Sequence, residues 1–191
     1  MLIFNFNPFP YLSTPRLMLR PVLKSDVKEI FILRSHPVVM KYIAKKHAES
    51  MEDAAAFIEK INLMENQNQC VTWAITLKEQ GKLIGNIGFW NLQPENHRAE
   101  IGYTLMPEFH RNGIMFEAIQ EVIKFGFNTL HLHSITGHVN PMNEGSVKLL
   151  ERNNFIKEGH FKENQYYDGK FFDTLVYTLF SGKSPESESK P

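Results

Sequence analysis

Residues 98–128 read RAEIGYTLMPEFHRNGIMFEAIQEVIKFGFN, and this segment decides the fold. Apolar and polar or small side chains alternate over residues 99–105, which is typical of a strand with one buried face. Pro107 ends the strand because proline cannot donate to a sheet ladder. Apolar side chains then recur at helical spacing: Met115, Ile119, Val122 and Phe125. The other side of this helix is polar and is predicted to face solvent: Glu117, Glu121, Lys124 and Asn128.

The turn before the helix has the composition of an anion site. It contains two basic or titratable side chains, His110 and Arg111, followed by Asn112 and Gly113. The first N–H groups of a helix have no partner within the helix, and its dipole favours negative charge there. The alternative is an ordinary helix cap with an arginine on the surface. The turn alone leaves both interpretations open.

Two more segments give this unit a context. Residues 139–146 read VNPMNEGS and are followed by RNNF at residues 152–155, and residues 12–20 read LSTPRLMLR. With these segments in the chain order 12–20, 98–128 and 139–155, the sequence resembles the GNAT superfamily of acetyl-CoA-dependent N-acetyltransferases. It is most similar to the branch that contains the ribosomal-protein N-terminal acetyltransferases, over residues 12–180. The resemblance implies an α/β fold with a mixed, twisted central sheet and helices on both faces.

The resemblance also implies where acetyl-CoA would bind. Gly113 matches the pyrophosphate loop, whereas His110 replaces the usual arginine or glutamine and Met115 replaces a glycine or alanine. The Met115 side chain would either crowd the diphosphate or turn into the core. The implied cofactor-binding residues are Tyr103, Leu105, His110, Arg111, Asn112, Gly113, Ile114, Met115, Asn140, Asn143 and Ser146.

Two of the candidate residues are interpreted as catalytic. In the resembling family a serine at the position of Ser146 lies near the cofactor sulfur, where a hydroxyl would donate to the leaving thiolate. Glu100, in mid-strand, would be a general base that takes a proton from the incoming amine through water. The alternatives are a serine that only occupies the first turn of a helix, and a glutamate paired with Arg98.

The rest of the chain is predicted to complete one domain, residues 1–180, with a disordered polar tail at residues 181–191. Strands are predicted at 16–22, 70–77, 82–90, 133–139, 155–163 and 171–180, and helices at 27–34, 51–64 and 143–152. Strands 99–105 and 133–139 are predicted to run in parallel and to part at their C-terminal ends. The aromatic residues 1–11 are predicted to form an arm packed on the domain or on a second subunit, so the protein is expected to be a monomer or homodimer.

Composition limits the partners. Lys+Arg and Asp+Glu both total 21, so no net field attracts nucleic acid or acidic membranes. The one cysteine, Cys70, suits a reducing compartment, and no apolar run is long enough to cross a bilayer, so a cytoplasmic protein is expected. His131, His133 and His138 lie close in sequence without the spacing of a metal site, so no metal is expected.

The hypothesis is therefore direct transfer of acetyl from acetyl-CoA to a primary amine. The favoured acceptor is the α-amine of a peptide or protein, which is easier to deprotonate than a lysine-type amine. Residues 29–46 and 165–172 are predicted to form the acceptor walls. The alternatives are a polyamine, an amino acid or an antibiotic as acceptor, or a domain that binds coenzyme A without catalysis.

Overall fold

A computed structural model describes residues 1–182. The strands are β1 (Leu12–Ser13), β2 (Leu17–Pro21), β3 (Val71–Leu77), β4 (Leu83–Gln93), β5 (Arg98–Leu105), β6 (Ser134–Val139), β7 (Ile156–Tyr167) and β8 (Lys170–Phe180). The α-helices are α1 (Val27–Ser35), α2 (Pro37–Met40), α3 (Met51–Asn66), α4 (Ile114–Asn128) and α5 (Glu144–Arg152). Short 3-10 turns lie at Lys24–Asp26 and Pro107–Phe109.

All eight strands form one sheet in the order β1-β2-β3-β4-β5-β6-β8-β7. Its only parallel pair among the described residues is β5 with β6, and the register joins Arg98 to Ser134 and Glu100 to Thr136. Pairing stops at Glu100, although β5 continues to Leu105 and β6 to Val139. The parallel pairing and the parting of the two strands at their C-terminal ends are thus confirmed.

Helices cover both faces of the sheet, as predicted. On β3, Val71, Trp73 and Ile75 join the larger apolar cluster, which contains the buried side of α4. The intervening Ala74 faces the other way and joins a second cluster with residues of α1 and α3. Since successive residues of a strand point to opposite faces, these two clusters lie on opposite faces of the sheet. The helices are thereby divided between the faces, with α4 on one and α1 and α3 on the other.

The N-terminal arm packs on the domain. Phe4 and Phe6 are buried in the larger cluster, and the indole Nε1 of Trp73 donates a 2.6 Å hydrogen bond to the carbonyl oxygen of Pro10. Trp73 also makes an edge contact with the ring of Phe9. The arm therefore extends the core over the sheet.

The last hairpin is longer than predicted. β7 reaches Tyr167 because its pairing with β8 continues through Gln165–Phe172 and Tyr167–Lys170, after a register shift beyond Phe161. Asp168 and Gly169 both have positive φ at the tip, as the sequence signal for a tight turn requires. Most of the predicted tail, residues 183–191, lies outside the described residues. No helix in residues 1–182 has the length and apolar character needed to span a membrane.

Candidate active site

A cleft of about 540 Å³ opens where β5 and β6 part. Residues from both faces of the sheet line it, among them Leu33 and Phe57 of the cluster with α1 and α3, and Tyr103 and Leu150 of the larger cluster. It is lined by β4, β5, β6, the start of α5 and both predicted acceptor walls, the latter through residues such as Arg34, Lys45, Gln165 and Phe172. These residues lie far apart in the sequence. The cleft therefore forms only when the strands assemble into the sheet in this order, and no single segment forms it.

Glu100 lies at the last paired position of β5 and lines the cleft. Its side chain is 29% exposed, and its Oε1 atom lies 3.5 Å from Nδ1 of His138 on β6. The sequence interpretation suggested Arg98 as an ion-pair partner for Glu100. In the structure Glu100 lies beside His138 instead, because the parallel register brings β6 alongside β5.

Asn140 and Asn143 hold the loop between β6 and α5. The Asn143 side-chain oxygen accepts a 3.2 Å hydrogen bond from the Ser146 backbone N–H and caps α5. The Asn140 side-chain oxygen accepts a 2.9 Å bond from the Met142 backbone N–H. Both side-chain oxygens therefore accept hydrogen bonds from the backbone. The amide N–H groups are the atoms that a ligand would meet.

Ser146 and Tyr103 meet across the opening. Tyr103 belongs to the part of β5 beyond the last pair with β6, and its hydroxyl is hydrogen-bonded to the Ser146 side chain. Burial raises the pKa of Tyr103 to about 12, although the Ser146 hydrogen bond acts in the opposite direction. The phenol therefore stays protonated near neutrality and remains a donor. Sequence reasoning proposed each residue separately and did not predict that they would touch.

The start of α4 is open to an anion. Gly113 is the N-cap, with φ of +73°, a conformation in which other residues are strained, and no side chain caps the helix here. Ile114 and Met115 are buried in the core, which decides between the two predicted positions of the Met115 side chain. A phosphate would meet their backbone N–H groups. His110 ties the turn to the strand, since its Nε2 lies 2.9 Å from the Leu105 carbonyl oxygen.

Arg16 is a candidate site residue that sequence reasoning missed. Its Nη1 donates a 3.0 Å hydrogen bond to the Asn112 carbonyl oxygen, and its Nη2 would lie 3.5 Å from a Cβ atom built on Gly113. The side chain is half exposed, so it places a positive charge beside the open start of α4. The sequence pointed to Arg16 only through its position in residues 12–20, one of the segments that resemble the GNAT superfamily.

Glu117 orients Arg16, so the prediction that Glu117 faces solvent is wrong. Glu117 accepts hydrogen bonds from the Arg16 backbone N–H at 3.0 Å, from Arg16 Nε at 2.6 Å and from the Thr14 hydroxyl. Burial raises the pKa of Glu117, but the bonds from Thr14 and Arg16 outweigh it and lower the pKa below its ordinary value. Glu117 therefore stays ionised and fixes the guanidinium beside the turn.

These features fit coenzyme A by the chemistry of their donor groups. The uncapped helix start and Arg16 suit a diphosphate, and the parted strands leave an edge along which an extended amide chain can pair. Within residues 1–182, no group of three or more His, Cys, Asp or Glu side chains is arranged to hold a metal ion.

Comparison with known proteins agrees with this geometry. The family described as "Acetyltransferase (GNAT) domain" matches residues 16–156. YoaA, an uncharacterised N-acetyltransferase of Bacillus subtilis strain 168, is 37% identical over 171 residues, which cover 90% of this chain and 97% of YoaA. The ribosomal protein uS5-alanine N-acetyltransferase of Escherichia coli strain K12 is 29% identical over 120 residues, 62% of each chain. Spermidine N(1)-acetyltransferase of Vibrio cholerae is 25% identical over 168 residues, 88% of this chain and 95% of that one.

Solved structures show the same fold. A GNAT-family acetyltransferase from Bacillus anthracis superimposes with a TM-score of 0.81 at 26% identity, covering 91% of this chain and all of that one. The ribosomal L7/L12 α-N-protein acetyltransferase RimL in complex with coenzyme A gives a TM-score of 0.82 at 21% identity, covering 90% and 98%. The family match, the relatives and the fold lead to one conclusion: the chain belongs to the GNAT family of N-acetyltransferases.

Proposed function

We propose that the acceptor of this acetyltransferase is the α-amino group of a peptide or protein N-terminus, which attacks the acetyl group directly. The observation that carries the proposal is the cleft itself, where Glu100 with His138 and Ser146 with Tyr103 line the opening between β5 and β6. A proton acceptor and a hydroxyl donor on one cleft are the two groups that direct aminolysis of a thioester requires.

Acetyl-CoA is the cosubstrate that the family uses, and we assign its contacts as follows. The N–H groups of the first turn of α4 and the guanidinium of Arg16 bind the diphosphate. The unpaired edges of β5 and β6 and the amides of Asn140 and Asn143 bind the pantetheine arm. Backbone N–H groups at the opening polarise the thioester carbonyl.

Glu100 is proposed as the base. An α-amine has a pKa of about 7.7–8.0, so near neutral pH a large share is still protonated and must lose a proton before attack. Glu100 is partly exposed and can receive this proton through a water molecule, while His138 holds the carboxylate in place. A lysine-type amine, with a pKa of about 10.4, would need a far stronger base.

Ser146 is proposed as the donor to the leaving sulfur. A thiol has an ordinary pKa of about 8.5, so its thiolate is a good leaving group and one hydroxyl donor suffices. Tyr103 is the partner that holds the Ser146 hydroxyl, and it can replenish the proton because its own hydroxyl stays protonated. This pairing supports the sequence-based choice of Ser146 and adds Tyr103 to it.

The charge of the cleft favours a peptide over a polyamine. Three cationic side chains line it, Arg34, Lys45 and Lys60, against two carboxylates, Glu100 and Asp173. A polycation such as spermidine would be expected to bind a markedly acidic surface. Similarity alone does not identify the acceptor, because one relative named above is an acetyltransferase of a ribosomal protein and another is an acetyltransferase of spermidine.

A competition assay tests the acceptor. Short peptides with free N-termini and spermidine are offered at equal concentration with acetyl-CoA, and both products are quantified together with the free thiol released. We expect the peptides to be acetylated preferentially. Preferential acetylation of spermidine would overturn the proposed acceptor and leave the acetyltransferase assignment intact.

Two further expectations from the sequence stay proposals. We propose a cytoplasmic enzyme, which cell fractionation would test, and a monomer or homodimer that binds no nucleic acid, which light scattering and a DNA-binding assay would test. The equal totals of Lys+Arg and Asp+Glu support the last point.

A further inference from the structure

We propose that the acceptor carries a carboxylate close to its reacting α-amine and that Arg34 binds it, so that the preferred substrates are peptides with acidic residues just after the N-terminus. This inference rests on the proposed function, because it takes the acceptor to be a peptide N-terminus. It specifies which peptides the cleft selects.

The cations of the cleft have no carboxylate partner. Arg34, Lys45 and Lys60 all line it, and within residues 1–182 none of them forms an ion pair. By contrast, the neighbouring Lys46 lies outside the lining and is paired with Glu49 at 3.1 Å. Three cations that have no ion pair within residues 1–182 therefore line the cleft.

Neither carboxylate of the cleft is paired with Arg34. Asp173 lies 2.6 Å from Nε2 of His160 and accepts a 2.9 Å bond from the Glu163 backbone N–H. The backbone bond from Glu163 and the contact with His160 lower the pKa of Asp173. Glu100 lies 3.5 Å from His138. An anion that enters the cleft therefore meets a guanidinium that has no ion pair within residues 1–182.

Arg34 is held ready to bind an anion. Its guanidinium carbon lies 4.0 Å from the centre of the Phe57 ring, and its Nη2 donates a 3.4 Å hydrogen bond to the Lys46 carbonyl oxygen. Burial lowers the pKa of Arg34, and no nearby negative charge offsets this effect. A stacked guanidinium loses little freedom when it binds, and its planar set of N–H donors matches a carboxylate.

A carboxylate on the acceptor would neutralise the positive charge of Arg34. The proposed chemistry brings the α-amine to Glu100, and Arg34 lines the same cleft, so one substrate can contact both residues. A charge-assisted hydrogen bond in a partly buried site gives about tenfold or more in specificity for the charged ligand. Spermidine and peptides that begin with basic residues would meet repulsion here.

The test compares kcat/KM for two isosteric peptides, one with Asp at positions 2 and 3 and one with Asn there, and adds a Lys peptide, free aspartate and spermidine. The wild-type enzyme is expected to prefer the Asp peptide over the Asn peptide about tenfold or more, with a preference that falls as salt is raised. Equal rates for the Asp and Asn peptides would overturn the inference alone. Acetylation of spermidine but of no peptide would overturn the proposed function, and faster acetylation of free aspartate would overturn the assignment to peptides.

Variants identify the residue responsible. Arg34→Gln shortens the side chain and removes its charge, so kcat/KM should fall more for the Asp peptide than for the Asn peptide, and the Asp preference should approach one. Arg34→Lys should restore part of the preference. Lys46→Gln removes a charge from the same segment outside the cleft and should leave the preference intact. An equal loss for both peptides in a folded Arg34→Gln enzyme would show that Arg34 is structural and overturn its assignment.

Discussion

Ser146 is expected to act on the chemical step more than on binding. Removing a donor whose hydrogen bond strengthens as the thiolate forms lowers kcat, while the affinity for acetyl-CoA changes little. We expect Ser146→Ala to lower kcat about tenfold or more. Its backbone N–H still meets the Asn143 cap, so α5 should remain folded. Steady-state kinetics measure the change in kcat, and calorimetry measures the affinity for acetyl-CoA. A Ser146→Ala variant with the wild-type kcat would rule out Ser146 as the donor.

The partner of Ser146 offers a matched comparison. Tyr103→Phe removes the hydroxyl that meets Ser146 and keeps the ring in the core. If Ser146 is the donor, the serine variant should be slower than the phenylalanine variant. The reverse order would transfer the donor role to Tyr103.

Glu100 is expected to control the acidic limb of the rate profile. Glu100→Gln removes the base and keeps the shape of the side chain on β5, so kcat/KM should no longer fall with protonation of a carboxylate. The measurement is the pH dependence of kcat/KM for a peptide acceptor. A profile that is only scaled down, with its shape retained, would make Glu100 a structural partner of His138.

At the scale of elements, the start of α4 should be sensitive to negative charge. Gly113→Glu places bulk and a like charge where the diphosphate is proposed, so we expect acetyl-CoA binding to fall below detection in a folded protein. Gly81→Glu is the control, because Gly81 also has positive φ, at +65°, and lies in the turn between β3 and β4, outside the cleft. Calorimetry should show normal affinity for the control. Normal affinity in Gly113→Glu would place the phosphate site elsewhere.

The helix α4 is also anchored by its buried side. Met115 is 8% exposed and packs in the larger apolar cluster, so Met115→Ala should lower the free energy of unfolding by about 2–5 kcal/mol. Met142→Ala is the matched change at a position that is 72% exposed, and it should lower stability by less than about 0.5 kcal/mol. Denaturant unfolding of both variants checks the difference. Equal stabilities would contradict the core position of Met115.

At the scale of the whole molecule, Glu65 makes stability depend on pH. Burial raises the pKa of the Glu65 carboxyl from 4.5 to about 7. The carboxylate also accepts a 2.7 Å hydrogen bond from the Thr72 backbone N–H, which lowers the pKa, but this effect is smaller. The folded state therefore binds more protons than the unfolded state between these two values. Stability falls as the pH rises from about 4.5 to about 7, and the loss is complete above that range.

Glu65→Gln should abolish this dependence. Glutamine keeps an acceptor for Thr72 and carries no charge, so the variant should be more stable than wild type at pH 8, by about 1 kcal/mol after allowing for exposure to water, and equal to it near pH 4. Glu59→Gln, an exposed position on the same helix, should show no such pH-dependent gain. Thermal melts at several pH values measure both, and a pH-independent difference for Glu65→Gln would contradict the shift.

Much of the fold could be predicted from the sequence because its signals are local. The alternation over 99–105 and the helical spacing after Gly113 predicted β5 and α4, and the Asp168-Gly169 turn predicted the last hairpin. The parallel pairing of β5 and β6 followed from the helix between them. The roles of Glu100, Ser146 and the residues of the cofactor turn remain predictions, although the structure groups them on one cleft and at one helix start.

Only the tertiary structure decided which side chains meet. Arg16 reaches Glu117 across 101 residues, Glu100 meets His138 through strand register, and Arg34 joins the cleft through the docking of α1 beside the sheet. Such contacts depend on how elements pack and on which residues face each other, and no local spacing encodes them. The sequence by itself therefore determined the family and most of the elements, although not β1 or α2, whereas the charges that face the acceptor were decided by the packing of those elements.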